Sequence, residues 1–310
     1  MLVLLMTIYA RGHREIGAYY DHQPVAMAEA TGAGLIWFMG RDHLNPPLSN
    51  RDEYALDSNR WREASSQRVL ELAQRMGITA ADTILELGCG IGGPGRDIAA
   101  DTRATTVAGI SISLNQLKNL RRISHETGSS YDGAIMGDMQ RLPFGDGTLN
   151  HVYSINAIYH VNDPTAVITE AHRVLAPGGR LGVDDWFITN TTSPEQHAAL
   201  RHNWSTGANG FHDFDKFAVS MEEAGLRLVD MADYTAEAGE FLTEERFGAT
   251  YDAQIAGTLR QAFPLLYRYE GYQPAHGDMA VAQLRSDILY MGELYRSGAA
   301  VYRQIIGQKG

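Results

Sequence analysis

Short apolar runs alternate with helix-like segments through the middle of the chain. The runs fall at about 83–88, 105–110, 132–137, 149–155 and 180–186, and the segments with helical spacing near 93–101, 114–127, 164–175 and 196–205. Strands that are apolar throughout are buried on both faces, and strands separated by helices pair in parallel. The pattern therefore predicts an α/β fold with a doubly wound, mostly parallel sheet. Ala176-Pro-Gly-Gly179 predicts a turn that stops one helix and starts the next strand. Phe214 to Ala224 reads as a further helix and Leu226 to Ala232 as a further strand.

On either side of this core the alternation is lost. Residues 13–80 read as helices with irregular links, including a longer amphipathic helix from Asp57 to Met76. Residues 237–297 read as mostly helical and rich in aromatic side chains, and Ala299 to Ile306 as a final strand at the sheet edge. These breaks divide the chain into an N-terminal helical cap (1–80), a ligand-binding core (81–236), a helical insertion over the substrate (237–298) and a closing edge strand (299–310).

Composition adds exclusions. A chain of 310 residues with 44% hydrophobic and 20% charged residues is that of an ordinary globular protein. Its net charge of -11 argues against nucleic acid as a partner, because a polyanion needs a basic face that displaces counterions. Cys89 is the only cysteine, so no disulfide forms within the chain and a cytoplasmic location is expected. Met1 to Tyr9 is apolar, but it lacks a basic start and a small-residue cleavage site and is too short to span a bilayer; neither a signal peptide nor a membrane anchor is expected. Such a segment docks on its own domain or on a neighbouring subunit, and a homo-oligomer is the expectation. The histidines, His202 and His212 included, show no metal-ligand spacing, and no metal is expected.

In open parallel sheets ligands bind outside the carboxyl ends of the strands, so the turns after 88, 110, 137, 155 and 186 should converge on one crevice. The first turn, Gly88-Cys-Gly90-Ile-Gly92-Gly93, lets the backbone approach a ligand, and the helix after it offers unpaired N–H groups to an anion. Gly88-x-Gly90-x-x-Gly93 also fits a dinucleotide pattern. Glu86, at the strand end just before it, suits a cationic ligand and opposes phosphates. The second turn carries Ser111, Ser113 and Gln116 but no acid for a ribose hydroxyl, which weakens the nicotinamide oxidoreductase reading. These three can make neutral hydrogen bonds to a ligand, or Ser113 can cap the next helix. After the third strand, Asp138 beside Met139 suits an adenine, the carboxylate accepting from the amine and the thioether packing on the ring.

With these residues the sequence resembles the class I S-adenosylmethionine-dependent methyltransferases. The matching elements are Glu86-Leu-Gly-Cys-Gly-Ile-Gly-Gly-Pro94, Gly137-Asp138-Met139 with Leu142-Pro-Phe144, and Arg173-Val-Leu-Ala-Pro-Gly-Gly179, in the family's order over 82–187. Within that superfamily it is most similar to the sterol C-24 methyltransferase-like group, which includes bacterial terpenoid C-methyltransferases. Pro94 and Arg96 extend the first motif, Tyr153-Ser-Ile-Asn156-Ala-Ile-Tyr159-His160 resembles the fourth-strand motif, and Asp185-Trp186 stands where an acid–Trp pair is expected. That group commonly has Glu where this chain has Asn156.

The resemblance implies S-adenosylmethionine as cofactor, held by Glu86, Gly88, Cys89, Gly90, Ser111, Ser113, Gln116, Asp138, Met139 and Asn156. It implies methyl transfer to an alkene carbon of a small prenylated or terpenoid substrate, giving a carbocation that loses a proton, shifts a hydride or cyclises. Aromatic faces stabilise such a cation and a base removes its proton. Tyr19, Tyr20, Tyr159 and Trp186 are the ring candidates; His160 is the first base candidate, followed by Asp185 and Asp184. The rival readings are an O- or N-methyltransferase of a small natural product and a non-catalytic S-adenosylmethionine-binding scaffold.

Overall fold

A computed structural model describes residues 58–310 except 105, 132, 204–210, 250, 253–255 and 257–273. Its seven-stranded sheet contains β1 (Thr83–Leu87), β2 (Thr106–Ser111), β3 (Gly133–Met136), β4 (Leu149–Ile155), β5 (Leu175–Ile188), β6 (Leu226–Asp233) and β7 (Ala300–Lys309). The strand order is β3-β2-β1-β4-β5-β7-β6, with β1 to β5 parallel and β7 antiparallel to both its neighbours. The helices are α1 (Ser58–Met76), α2 (Gly93–Thr102), α3 (Leu114–Thr127), α4 (Pro164–Val174), α5 (Pro194–Asn203), α6 (Phe214–Glu223), α7 (Thr235–Phe241) and α8 (Pro274–Ser297). Expectations for the cap up to residue 57, Tyr19 and Tyr20 among them, and for residues 257–273 of the insertion lie outside the described residues.

Successive side chains leave a strand on opposite faces, and the core divides accordingly. Ile84 packs with Leu72 and Met76 of α1, Ile98 of α2 and Leu120 of α3. Leu85 and Leu87 pack on the other side with Val167 of α4 and Phe217 of α6. Side-chain caps from Ser113, Asp163 and Asp213 start α3, α4 and α6. A third cluster joins Trp186 and Ile188 at the end of β5 to Tyr302 of β7, α7 and α8.

The sheet corrects two expectations. The closing strand is not at the edge: β7 inserts between β5 and β6, and β6 is the edge strand. Val301 and Ile305 are buried on one face and Ile306 on the other, the pattern of an interior strand, whereas β6 is half exposed. Ala176 to Gly179 is no turn ahead of a strand. It lies within β5, as a bulge between the Leu149–Leu175 and His151–Arg180 pairs, with Gly178 at φ +78° absorbing the bend. No helix among the described residues is long and apolar enough to cross a membrane, and no group of metal-holding side chains gathers among them.

Candidate active site

The glycine turn is fastened before it meets any ligand. The N–H groups of Gly88 and Cys89 both donate to the Ile110 carbonyl, at 2.9 and 3.1 Å, which ties the turn to β2. Gly88 has φ +71°, and a Cβ there would overlap the Ala157 methyl and lie 3.3 Å from Met139 Cε. The ends of β1, β3 and β4 thus meet around one narrow space. Gln116 leans over Gly90: its Oε1 accepts from Ser111 Oγ at 3.2 Å, and its Nε2 lies 3.9 Å from where a Gly90 Cβ would stand. No side chain caps α2 at Gly92; Pro94 carries no N–H, Gly95 N–H turns to Glu86, and Arg96 N–H donates to the Gly92 carbonyl at 3.1 Å. Asp138 is half buried at the end of β3; Oδ1 accepts from Gln140 N–H at 2.9 Å and from Nε2 at 3.3 Å, and Oδ2 from Nε2 at 3.4 Å.

Three expected cofactor contacts are redirected. Glu86 shares the face of Ile84 and is 2% exposed beneath the glycine turn, where its Oε2 accepts from the Tyr131 hydroxyl at 2.7 Å with Tyr153 beside it. Burial pushes its carboxyl up to about 7, against the pull of both tyrosines and Arg96. Tyr131 fills the room the later glycines leave: a Cβ on Gly92 would come within 2.5 Å of its ring. The Cys89 thiol is buried in the same nest against Gly109, and burial followed by the Glu86 charge pushes it up. Ser113 turns its hydroxyl onto α3, accepting from Gln116 N–H at 3.2 Å, so it caps the helix.

Beyond Ala157 the chain makes one turn of 3-10 helix, Ile158–His160, and Asp185 shapes it. Asp185 Oδ2 accepts from Ile158 N–H at 3.0 Å and Oδ1 from Trp186 N–H at 2.9 Å, with Tyr159 N–H also bound. Burial, with Asp184 adding, pushes this carboxyl up to about 8 although the backbone bonds pull it down. Asp185 is therefore a positioning residue and not a base facing an acceptor. Asp184 is no base either, since Arg68 and Gln304 hold it. His212, absent from the sequence candidates, donates from Nε2 to the Ile158 carbonyl at 3.2 Å; burial lowers its pKa and favours the neutral ring.

The turn assembles an aromatic wall. The Tyr159 ring lies 4.1 Å from His160, 5.2 Å from Trp186 and 6.3 Å from Phe211, centroid to centroid, and Phe211 lies 6.4 Å from Trp186. Asn156 links wall and crevice from a left-handed backbone, φ +47°, unusual for a residue other than glycine. Its Oδ1 accepts from Trp186 Nε1 at 2.7 Å and from the Tyr302 hydroxyl at 3.2 Å. The structure thus brings together Asn156, Tyr159, His160 and Trp186. Tyr20 lies outside the described residues. Phe211, Tyr302 and Arg68 are not among the sequence candidates: none sits directly after a strand of the parallel core, and nothing local in the sequence links them to Asn156 or Trp186.

A family model described as a methyltransferase domain matches residues 85–183, from β1 into β5. The chain is 28% identical over 235 residues to the methyltransferase GfsG of Streptomyces halstedii, covering 74% of this chain and 79% of that protein. It is 30% identical over 241 residues to the sterol 24-C-methyltransferase ERG6B of Gibberella zeae, covering 76% of this chain and 56% of the relative. The chain spans about half the length of the sterol methyltransferases it matches. Among solved structures, geranyl diphosphate methyltransferase in complex with GPP and sinefungin superposes with a TM-score of 0.67 over 96% of this chain and 98% of that one, at 18% identity, a likeness of fold.

Proposed function

The chain is a class I S-adenosylmethionine-dependent methyltransferase, and from that premise we propose that it methylates an alkene carbon of a prenyl or terpenoid group in a secondary metabolite. S-adenosylmethionine supplies a methyl group on a sulfonium, open to attack by a nucleophile. The glycine turn, with Ala157 and Met139 packed against Gly88 so that no side chain is tolerated there, is the proposed seat of the cofactor. Gln116 over Gly90, Asp138, Met139 and Asn156 would hold the cofactor, Asp138 through the carboxylate oxygen least used within its own turn.

The observation that carries the reading is the wall of Tyr159, Trp186 and Phe211 directly beyond Ala157. An alkene that takes up a methyl group becomes a cation. Ring faces within about 6 Å favour it by roughly 0.5–2 kcal/mol each. Oxygen or nitrogen acceptors need a base and no such lining. His160, its ring tilted 36° against that of Tyr159, is the proposed base for the proton that leaves carbon. The names of the sterol and geranyl diphosphate relatives support carbon as the acceptor. A prenyl group carried on a larger scaffold fits better than a free diphosphate, because the acidic chain, net charge -11, offers no obvious basic cluster for one. Capture of the cation by a second alkene would close a ring.

Product ratios test this. Losing a ring contact of about 1–2 kcal/mol changes a partition by roughly five- to thirtyfold, so Tyr159→Ala and Trp186→Ala should redistribute alkene isomers and cyclised products. His160→Ala should enrich products that lose their proton elsewhere. One unchanged product across the series, at any rate, would rule out this mechanism for these residues.

A further inference from the structure

A buried cation stands behind the aromatic wall. Arg68 on α1 and Asp184 on β5 are 2% and 1% exposed, with Nε 3.0 Å from Oδ2. Nη2 reaches Oδ1 at 3.4 Å and Gln304 Nε2 donates to Oδ2 at 2.6 Å, so both carboxylate oxygens are occupied. The guanidinium carbon lies 3.5 Å from the Tyr234 ring centroid and 4.5 Å from that of Tyr302. Nη1 is buried with no acceptor among the described residues, and the ring faces meet its charge. Burial opposes that charge, but Asp184 and the two tyrosines outweigh it and raise the Arg68 pKa.

Tyr302 has one hydroxyl proton and two acceptors in reach, Asn156 Oδ1 at 3.2 Å and the Asp184 carboxylate. A bare carboxylate is the stronger acceptor and would take the proton. With Arg68 and Gln304 on its oxygens, Asp184 yields it to Asn156. The Trp186 indole N–H can only donate, so the Asn156 atom that it meets at 2.7 Å is the oxygen, and both donors converge there. We propose that Arg68 is a positioning residue for methyl transfer: paired with Asp184 and stacked on Tyr302, it directs the Tyr302 hydroxyl to Asn156 and so fixes the Trp186 ring beside the acceptor. The proposal rests on the methyl-transfer reading of the site above. It also sorts the rings, since the faces of Tyr234 and Tyr302 turned to Arg68 already serve the protein's own cation and leave Tyr159, Trp186 and Phe211 to the substrate.

The test compares Arg68→Lys, Tyr302→Phe and the double variant, each with and without Trp186→Phe. The difference isolates the Trp186 fluorescence and near-ultraviolet circular dichroism. Arg68→Lys keeps a charge for Asp184 but loses the planar stack; Tyr302→Phe keeps the ring but loses the hydroxyl. Both should weaken the Trp186 dichroic band and shift its emission, and the double variant should do no more than the larger single change. With a prenylated acceptor, kcat should fall about 10- to 100-fold. Unchanged Trp186 spectra in folded variants would overturn the proposal, as would effects that simply add. Should Arg68→Lys fail to fold, Tyr302→Phe leaves the ion pair intact and decides by the same spectra. Spectral shifts in a protein that methylates only oxygen or nitrogen would support the positioning and overturn the alkene reading alone.

Discussion

Gly88 is the residue on which the crevice turns. With φ +71° and the Ala157 methyl in the way, Gly88→Ala should abolish S-adenosylhomocysteine binding in calorimetry while the rest of the sheet folds. Asp138→Ala should weaken the same binding by about 1.5–3 kcal/mol, the worth of a hydrogen bond to a charged group; unchanged affinity would remove Asp138 from the site. Glu86 belongs to stability. Its folded pKa of about 7 lies above the unfolded 4.5, so the folded state keeps a proton that the unfolded chain releases, and stability from this group falls as pH rises through that window. Glu86→Gln should stabilise the protein above about pH 7 by up to about 3 kcal/mol and flatten this slope. Denaturant midpoints offset equally at about pH 5 and about pH 8 would contradict it. The sequence shows that an acid precedes the glycines. It does not show that strand alternation turns the acid away from the crevice and onto Tyr131, since Tyr131 is 45 residues away in the chain.

At the scale of elements, the parallel core was legible because its signal is local: apolar runs, helix spacing, and caps such as Asp163 and Asp213 can be read within a dozen residues. The place of β7 was not, because pairing partners are chosen over long distances; Asp184 faces Gln304 and Trp186 faces Tyr302 across the sheet. For the same reason Asn156, Tyr159, His160 and Trp186 were legible as strand-end residues, while the bonds that join them to Tyr302 and Arg68 were not. Asp185 shows the difference between residue and role, since the position was legible but its work for the 158–160 turn was not. Asp185→Ala would strip the acceptors from buried N–H groups at about 1–3 kcal/mol each. Hydrogen exchange at Ile158 and Tyr159 should accelerate in this variant more than exchange in β1; uniform acceleration would mean general destabilisation instead.

Over the whole molecule, two clusters hold the sheet between its helices, and the third extends it from the end of β5 to α7 and α8. The glycine turn belongs to the first part and the aromatic wall to the second, and they meet at Asn156 and Ala157. Met1 to Tyr9 lies outside the described residues; a segment so apolar is expected to dock on its own domain or on a neighbouring subunit, and deleting residues 1–12 should change the assembly state or expose apolar surface, either of which light scattering would detect. The acceptor atom is the central claim. It is read most directly by carbon NMR of the product formed from a prenylated acceptor and S-adenosylmethionine carrying a 13C methyl group. The account predicts a labelled methyl bonded to carbon at the former alkene; a label bonded to oxygen or nitrogen, with the alkene intact, would contradict it.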